Sequence, residues 1–183
     1  NATYYMGDCY SKLDLNDLAR DVFKDGLAEY TTSEVRPRYL YGMQTLDYRE
    51  GKYEDALKNH AFISNLYAES EIKPEADYLA GQIHFLRKNY NAAEQLLSKI
   101  EPRSPVYLYA LYTLSIINIE NKKEKIAESN LETIVSDTTQ DAGLLLLQDA
   151  AAIKLGQLYF EQAELRKAVA DNKKIILDLK KLL

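Results

Sequence analysis

Residues 75–100, EADYLAGQIHFLRKNYNAAEQLLSKI, constrain the fold more than any other stretch of the 183-residue chain. Tyr78, Leu79, Ile83 and Leu86 recur at helical spacing, as do Ala92, Ala93, Leu96, Leu97 and Ile100. Neither set alternates as a strand would. Only Arg87-Lys88-Asn89 lies between them, room for a tight turn, so the stretch predicts a helical hairpin. Gly81 and Ala93 are 93 − 81 = 12 residues apart, and two small residues at that separation would let the backbones approach closely. Gly81 is expected to face Ala93.

The pattern recurs. Ala19, Ala56, Ala93, Ala127 and Ala168 hold equivalent places, at separations of 56 − 19 = 37, 93 − 56 = 37, 127 − 93 = 34 and 168 − 127 = 41. Gly7, Gly81, Ser115 and Gly156 precede four of them by twelve residues. In the second repeat Gln44 stands at that place, with Gly42 two residues earlier, so the register there is open by two residues.

In these residues the chain resembles the tetratricopeptide repeat family. Gly81 is the small residue late in the first helix and Tyr90 stands near the start of the second. Ala93 follows three residues on, then Leu97 and Ile100. His84 occupies a place usually held by an aromatic. The family period is about 34 residues, with insertions in turns. The resemblance implies an all-α, right-handed superhelical solenoid of antiparallel helix hairpins. One repeat domain covers 1–183, with hairpins near 3–30, 35–69, 74–100, 104–136 and 139–183. Within it Asn16 is expected to cap a helix, Pro74 to open one, and Gly156 to face Ala168. No strand and no Gly-, Pro- or Ser-rich linker is expected.

The net charge of −5 argues against a nucleic-acid partner. No apolar run approaches the ~18 residues of a membrane span. Cys9 is the only cysteine, which excludes an internal disulfide, and its apolar surroundings predict a buried thiol. The chain opens on Asn1-Ala2 and reads as an excerpt from a longer protein.

Chemistry finds little to work with. His60 and His84 show no metal-binding spacing, and there is no Gly-rich phosphate loop. His84 reads as a packed core residue. No cofactor, metal or catalytic residue is expected, and the chain reads as a non-enzyme.

The resemblance implies that the first helices line a concave ligand face. Fifteen residues before the anchors stand Tyr4, Tyr41, Tyr78, Tyr112 and Ile153. Eleven before stand Asp8, Thr45, Gln82, Ile116 and Gln157, and eight before stand Ser11, Tyr48, Phe85, Ile119 and Phe160. The rows are about a helical turn apart, hence on one face. Aromatic rings with hydroxyl handles are common interface anchors. The candidate partner-binding residues are therefore Tyr4, Tyr41, Thr45, Tyr48, Tyr78, Gln82, Phe85, Tyr112, Ile116 and Gln157. The same tyrosines would also suit packing between helices. No repeated Lys/Arg pair suggests a carboxylate clamp.

The expected function is a scaffold that holds a peptide or protein segment in the groove. By analogy with bacterial envelope assembly factors, a periplasmic or envelope setting is slightly favoured. The alternative is self-association: Ile175, Ile176, Leu179, Leu182 and Leu183 leave an apolar stripe on the last helix, through which a homo-oligomer could form.

Overall fold

The fold is that of a computed structural model describing residues 2–31, 34–138 and 141–182. Side chains in the last helix are described through 167 and at 169, 170 and 173. The described residues are all-α, with nine helices and no strand. These are α1 (Ala2–Lys12), α2 (Asn16–Glu29), α3 (Arg36–Arg49), α4 (Tyr53–Leu66), α5 (Lys73–Leu86), α6 (Tyr90–Leu97), α7 (Tyr107–Glu120), α8 (Glu124–Val135) and α9 (Ala142–Leu182). Two compact units are present, residues 1–113 and 114–183, divided within α7.

The turns repeat more strictly than the helices. Asp14, Gly51, Lys88 and Lys122 each take a left-handed conformation, with φ of 58°, 74°, 58° and 58°. Around each, the same two hydrogen bonds close the preceding helix. Gly51 N–H donates to Tyr48 O (3.0 Å) and Lys52 N–H to Asp47 O (2.8 Å); Lys88 and Asn89 donate likewise to Phe85 and His84 (2.9 and 2.8 Å). Asp14 and Leu15, and Lys122 and Lys123, repeat the pair. This is the Schellman arrangement, which satisfies carbonyls the helix end leaves free. Each left-handed residue precedes an anchoring alanine by five: 19 − 14, 56 − 51, 93 − 88 and 127 − 122. The first four turns therefore fall where the alanine spacing puts them, and those four alanines are 0 % exposed.

In the first unit α1 pairs with α2, α3 with α4 and α5 with α6. The hairpins pack in sequence, α2 on α3 and α4 on α5, and the first helices α1, α3 and α5 lie side by side. Aromatic rings lie against glycines at these contacts. A Cβ at Gly7 would come within 2.5 Å of Phe23, and one at Gly42 within 2.7 Å of the same ring. Phe23 thus sits between its own hairpin and the next. Tyr39 lies in the same way against Gly26. Gly42 therefore serves the contact between hairpins, and Gln44, seven residues before the left-handed Gly51 as Gly7 and Gly81 are before Asp14 and Lys88, reaches the next hairpin as well. Gln44 is fully buried and its Nε2 donates to Ala76 O at 2.9 Å. Burying a ring such as Phe23 contributes about 1.5–3 kcal/mol. Arg36 closes α2, donating to the Leu27 and Tyr30 carbonyls.

In the second unit α8 packs on α9. Tyr159 donates to Glu132 (2.9 Å) and Gln148 to the Asp137 carbonyl (2.6 Å), while Leu147, Ala151 and Leu158 are buried. Asp141 caps α9, accepting from the Gly143 and Leu144 amides.

Five expectations need correction. The fifth hairpin is absent, because α9 runs unbroken for 41 residues through the place of its turn. That turn would centre on Gln162-Ala163-Glu164, three good helix formers with no Gly, Asp or Asn, whereas each turn that forms carries one: Asp14, Gly51, Asn89 and Asn121. Gly156 cannot then face Ala168, which lies about 18 Å along the same helix at 1.5 Å per residue. Gly81 meets Leu97 (2.6 Å from an added Cβ), one turn beyond Ala93. Asn16 is not a cap: Leu15 takes that position without a side-chain bond, leaving Asn16 one residue inside the helix. Cys9 is exposed, because α1 turns Gly7 and Ser11 inward and a residue two positions on points away. Pro74 does lie in the first turn of α5. The stripe from Ile175 to Leu183 lies outside the described side chains.

Candidate functional site

The side-by-side packing of α1, α3 and α5 brings most of the tyrosine row together. Tyr4, Tyr41 and Tyr78 are each half-buried, and neighbouring members oppose one another's ionisation. Tyr4 packs edge-on to Tyr39 and tilts against Phe23, so its body is anchored in the aromatic core. Tyr41 packs against the cluster of Leu40, Ile63 and Ala76. Tyr78 lies 6.3 Å from the Tyr109 ring, at the start of α7.

Burial pushes all these phenols up. Tyr78 is raised to about 12 by burial and by Tyr48, Tyr109 and Tyr41, against a hydrogen bond with Thr113. Tyr4 and Tyr41 are raised by burial and then chiefly by the carboxylates of Asp8 and Glu75 respectively. Glu75 is itself raised by burial, partly offset by Arg38. The face is therefore mixed: phenols, the carboxylates Asp8 and Glu75, and the guanidinium of Arg38.

Thr45 and Gln82 sit among these rings, already paired. Thr45 donates to the Tyr41 carbonyl (2.9 Å) and Gln82 to Thr113 Oγ1 (2.6 Å). Tyr48 and Phe85 turn toward the next helix, packing on Tyr53 (5.8 Å) and Tyr90 (6.0 Å). Tyr112 is half-buried in the first unit. Ile116 and Gln157 belong to the second unit, half-buried and exposed respectively. The residues brought together are thus Tyr4, Tyr41, Thr45, Tyr78 and Gln82, whereas Tyr48 and Phe85 pack on Tyr53 and Tyr90.

Arg38, Glu75 and Tyr109 were missed by sequence reasoning. Each stands three residues before a row tyrosine (41 − 38, 78 − 75 and 112 − 109), one helical turn along the same face. That offset was the signal available.

A second cluster joins α4 to α5. His60 Nε2 meets Asp77 Oδ1 at 2.7 Å, Ser64 Oγ meets the same nitrogen at 3.1 Å, and Lys73 pairs with the Asp77 carboxylate. Burial alone would raise Asp77, but the hydrogen bonds from His60 and Lys73 outweigh it and hold its pKa down. Ser, His and Asp invite comparison with a nucleophilic triad. A triad needs serine and aspartate on opposite ring nitrogens; here both share Nε2, so no proton relay is formed. His84 is half-buried, and burial lowers its pKa.

Two open clefts flank the loop between α4 and α5. One, of about 810 Å³, lies between Arg38 and Glu71; the other, of about 590 Å³, between Glu75 and Arg103. Among the described residues no acidic, His or Cys cluster could hold a metal, and no helix is long and apolar enough to cross a membrane. In comparisons with known proteins, no family model, no curated protein and no solved structure matches the chain.

Proposed function

We propose that the chain is a tetratricopeptide-like interaction module, a right-handed solenoid whose first helices hold an extended protein segment. The observation that carries this reading is the run of half-buried phenols Tyr4, Tyr41 and Tyr78, one from each of three adjacent first helices. Rings packed at their base lose little freedom on binding, and their outer edges offer apolar area with a polar handle. Asp8, Glu75 and Arg38 around them give hydrogen-bonding groups to an extended backbone. Four turns in one geometry, each five residues ahead of a buried alanine, support the repeat reading.

The test is a binding footprint. Peptides selected from a random library on the purified chain are added, and amide hydrogen exchange is read by segment. Slowed exchange should fall on α1, α3, α5 and the start of α7. Protection confined to α2, α4 and α6 would move the binding surface to the other side and overturn the proposal.

A further inference from the structure

In α1 and α5 the in-hairpin glycine is covered by the second helix of its own hairpin, Gly7 by Phe23 and Gly81 by Leu97. Gly156 holds the same place in α9, and nothing lies within 4 Å of a Cβ built there. The second helix that would cover it is missing, because α9 does not turn. An apolar stripe is left open beside it at seven-residue spacing: Leu146 at 72 % exposure, Ile153 at 65 % and Phe160 at 68 %. Farther along, every described side chain between 163 and 170 is exposed, Leu165 and Val169 among them.

The missing helix is nonetheless written in the chain. Residues 165–182 carry the second-helix spacing, with Ala168 as anchor and Ile175 seven residues on, as Ile63, Ile100 and Ile134 follow Ala56, Ala93 and Ala127. Within one unbroken helix they cannot fold back onto their own Gly156. Charge says what they can reach. Residues 141–164 carry four carboxylates against Lys154 alone, a net of 1 − 4 = −3. Residues 165–182 carry six basic side chains against Asp171 and Asp178, a net of 6 − 2 = +4. Antiparallel pairing of two α9 helices sets acidic half on basic half twice; parallel pairing would set like on like.

We infer that the exposed face of α9 is the interface of a swapped dimer, each copy's residues 165–182 covering Gly156, Ile153 and Leu146 of the other. A two-fold axis makes the contact twice, and exchange of an identical element is a low-cost route to such dimers. The hairpins fix the register. Gly7 meets residue 23 and Gly81 residue 97, each sixteen on, so Gly156 meets position 172 of the second copy, Ile153 meets Ile175, and Leu146 meets Leu182.

Sedimentation equilibrium should give twice the chain mass of 20.9 kDa; the single mass at all concentrations would overturn the inference. The triple change Gln162→Glu, Ala163→Gly, Glu164→Lys installs the turn residues of positions 50–52, lets residues 165–182 fold back, and should halve the mass. A dimer that persists with that turn would also overturn it. Should the triple variant not fold, the register decides. With Cys9→Ser, the pair Ile153→Cys, Ile175→Cys should form a disulfide between copies, while Leu146→Cys, Ile175→Cys should not. The reverse result, or equal cross-linking of both pairs, refutes the pairing.

Discussion

Alanine at Gly81 tests the hairpin contact directly, because two opposed effects can be separated. A Cβ there would lie 2.6 Å from Leu97 Cδ2 and 2.7 Å from its Cγ. Carbon atoms prefer about 3.5–4.0 Å, so Leu97 would have to move by about 1 Å. It is 1 % exposed and fully packed. Overpacking of this kind costs about 1–3 kcal/mol. Alanine is the better helix former by about 0.8–1.0 kcal/mol. Gly81→Ala alone should therefore destabilise by about 0–2 kcal/mol. Leu97→Ala alone should cost about 2–5 kcal/mol for the cavity. With Leu97 truncated the obstruction is gone, and adding Gly81→Ala should then stabilise by up to about 1 kcal/mol. The two changes should couple by about 1–3 kcal/mol, the overpacking cost, within the roughly 0.5–3 kcal/mol seen for touching residues. Urea melts of the four proteins measure this. Effects that simply add, or Gly81→Ala stabilising in the parent chain, would refute the contact.

Other predictions follow from the same geometry. Lys88→Gly and Lys122→Gly should each stabilise by up to about 1 kcal/mol in thermal melts, since a left-handed residue with a Cβ costs about 1–2 kcal/mol and glycine's unfolded-state entropy offsets part of the relief; a loss of stability would mean the turns are not left-handed. Asp77→Ala should cost about 3–5 kcal/mol in denaturant melts, because it leaves Lys73 and His60 together in a largely buried site. Tyr78 is raised from 10.0 to about 12, so its contribution to stability is complete below pH 10. It is lost as pH climbs toward 12, where the unfolded phenol ionises before the folded one. Tyr78→Phe should flatten that alkaline decline, and a decline unchanged by it would place the effect elsewhere.

The hairpin boundaries were legible because they are local. A three-residue break between two helical periods, five residues ahead of an alanine, is enough to place Asp14, Gly51, Lys88 and Lys122. The fifth break does not form: Gly156 and Ala168 keep the repeat spacing in sequence, but Gln162-Ala163-Glu164 offers the helix no reason to stop. Periodicity reports which face is apolar, whereas termination depends on the turn residues themselves. The tyrosine row was legible as a row, since equivalent positions of stacked hairpins lie side by side. Its division was not: Tyr48 and Phe85 turn to Tyr53 and Tyr90, contacts fixed by ring orientation. The cluster of His60, Ser64, Lys73 and Asp77 was missed because it forms only when α4 docks on α5.

Binding of an extended protein segment is proposed for the row of Tyr4, Tyr41 and Tyr78. Its most direct test is calorimetry of a library-selected peptide against the parent chain and the double variant Tyr41→Ala, Tyr78→Ala. Binding should weaken by about 2 kcal/mol or more, some 30-fold, the scale of an interface hot spot. Half-buried rings should cost some stability as well, but the far-ultraviolet helical signal and a cooperative melt should remain. A folded double variant that binds the peptide as tightly as the parent would contradict the account.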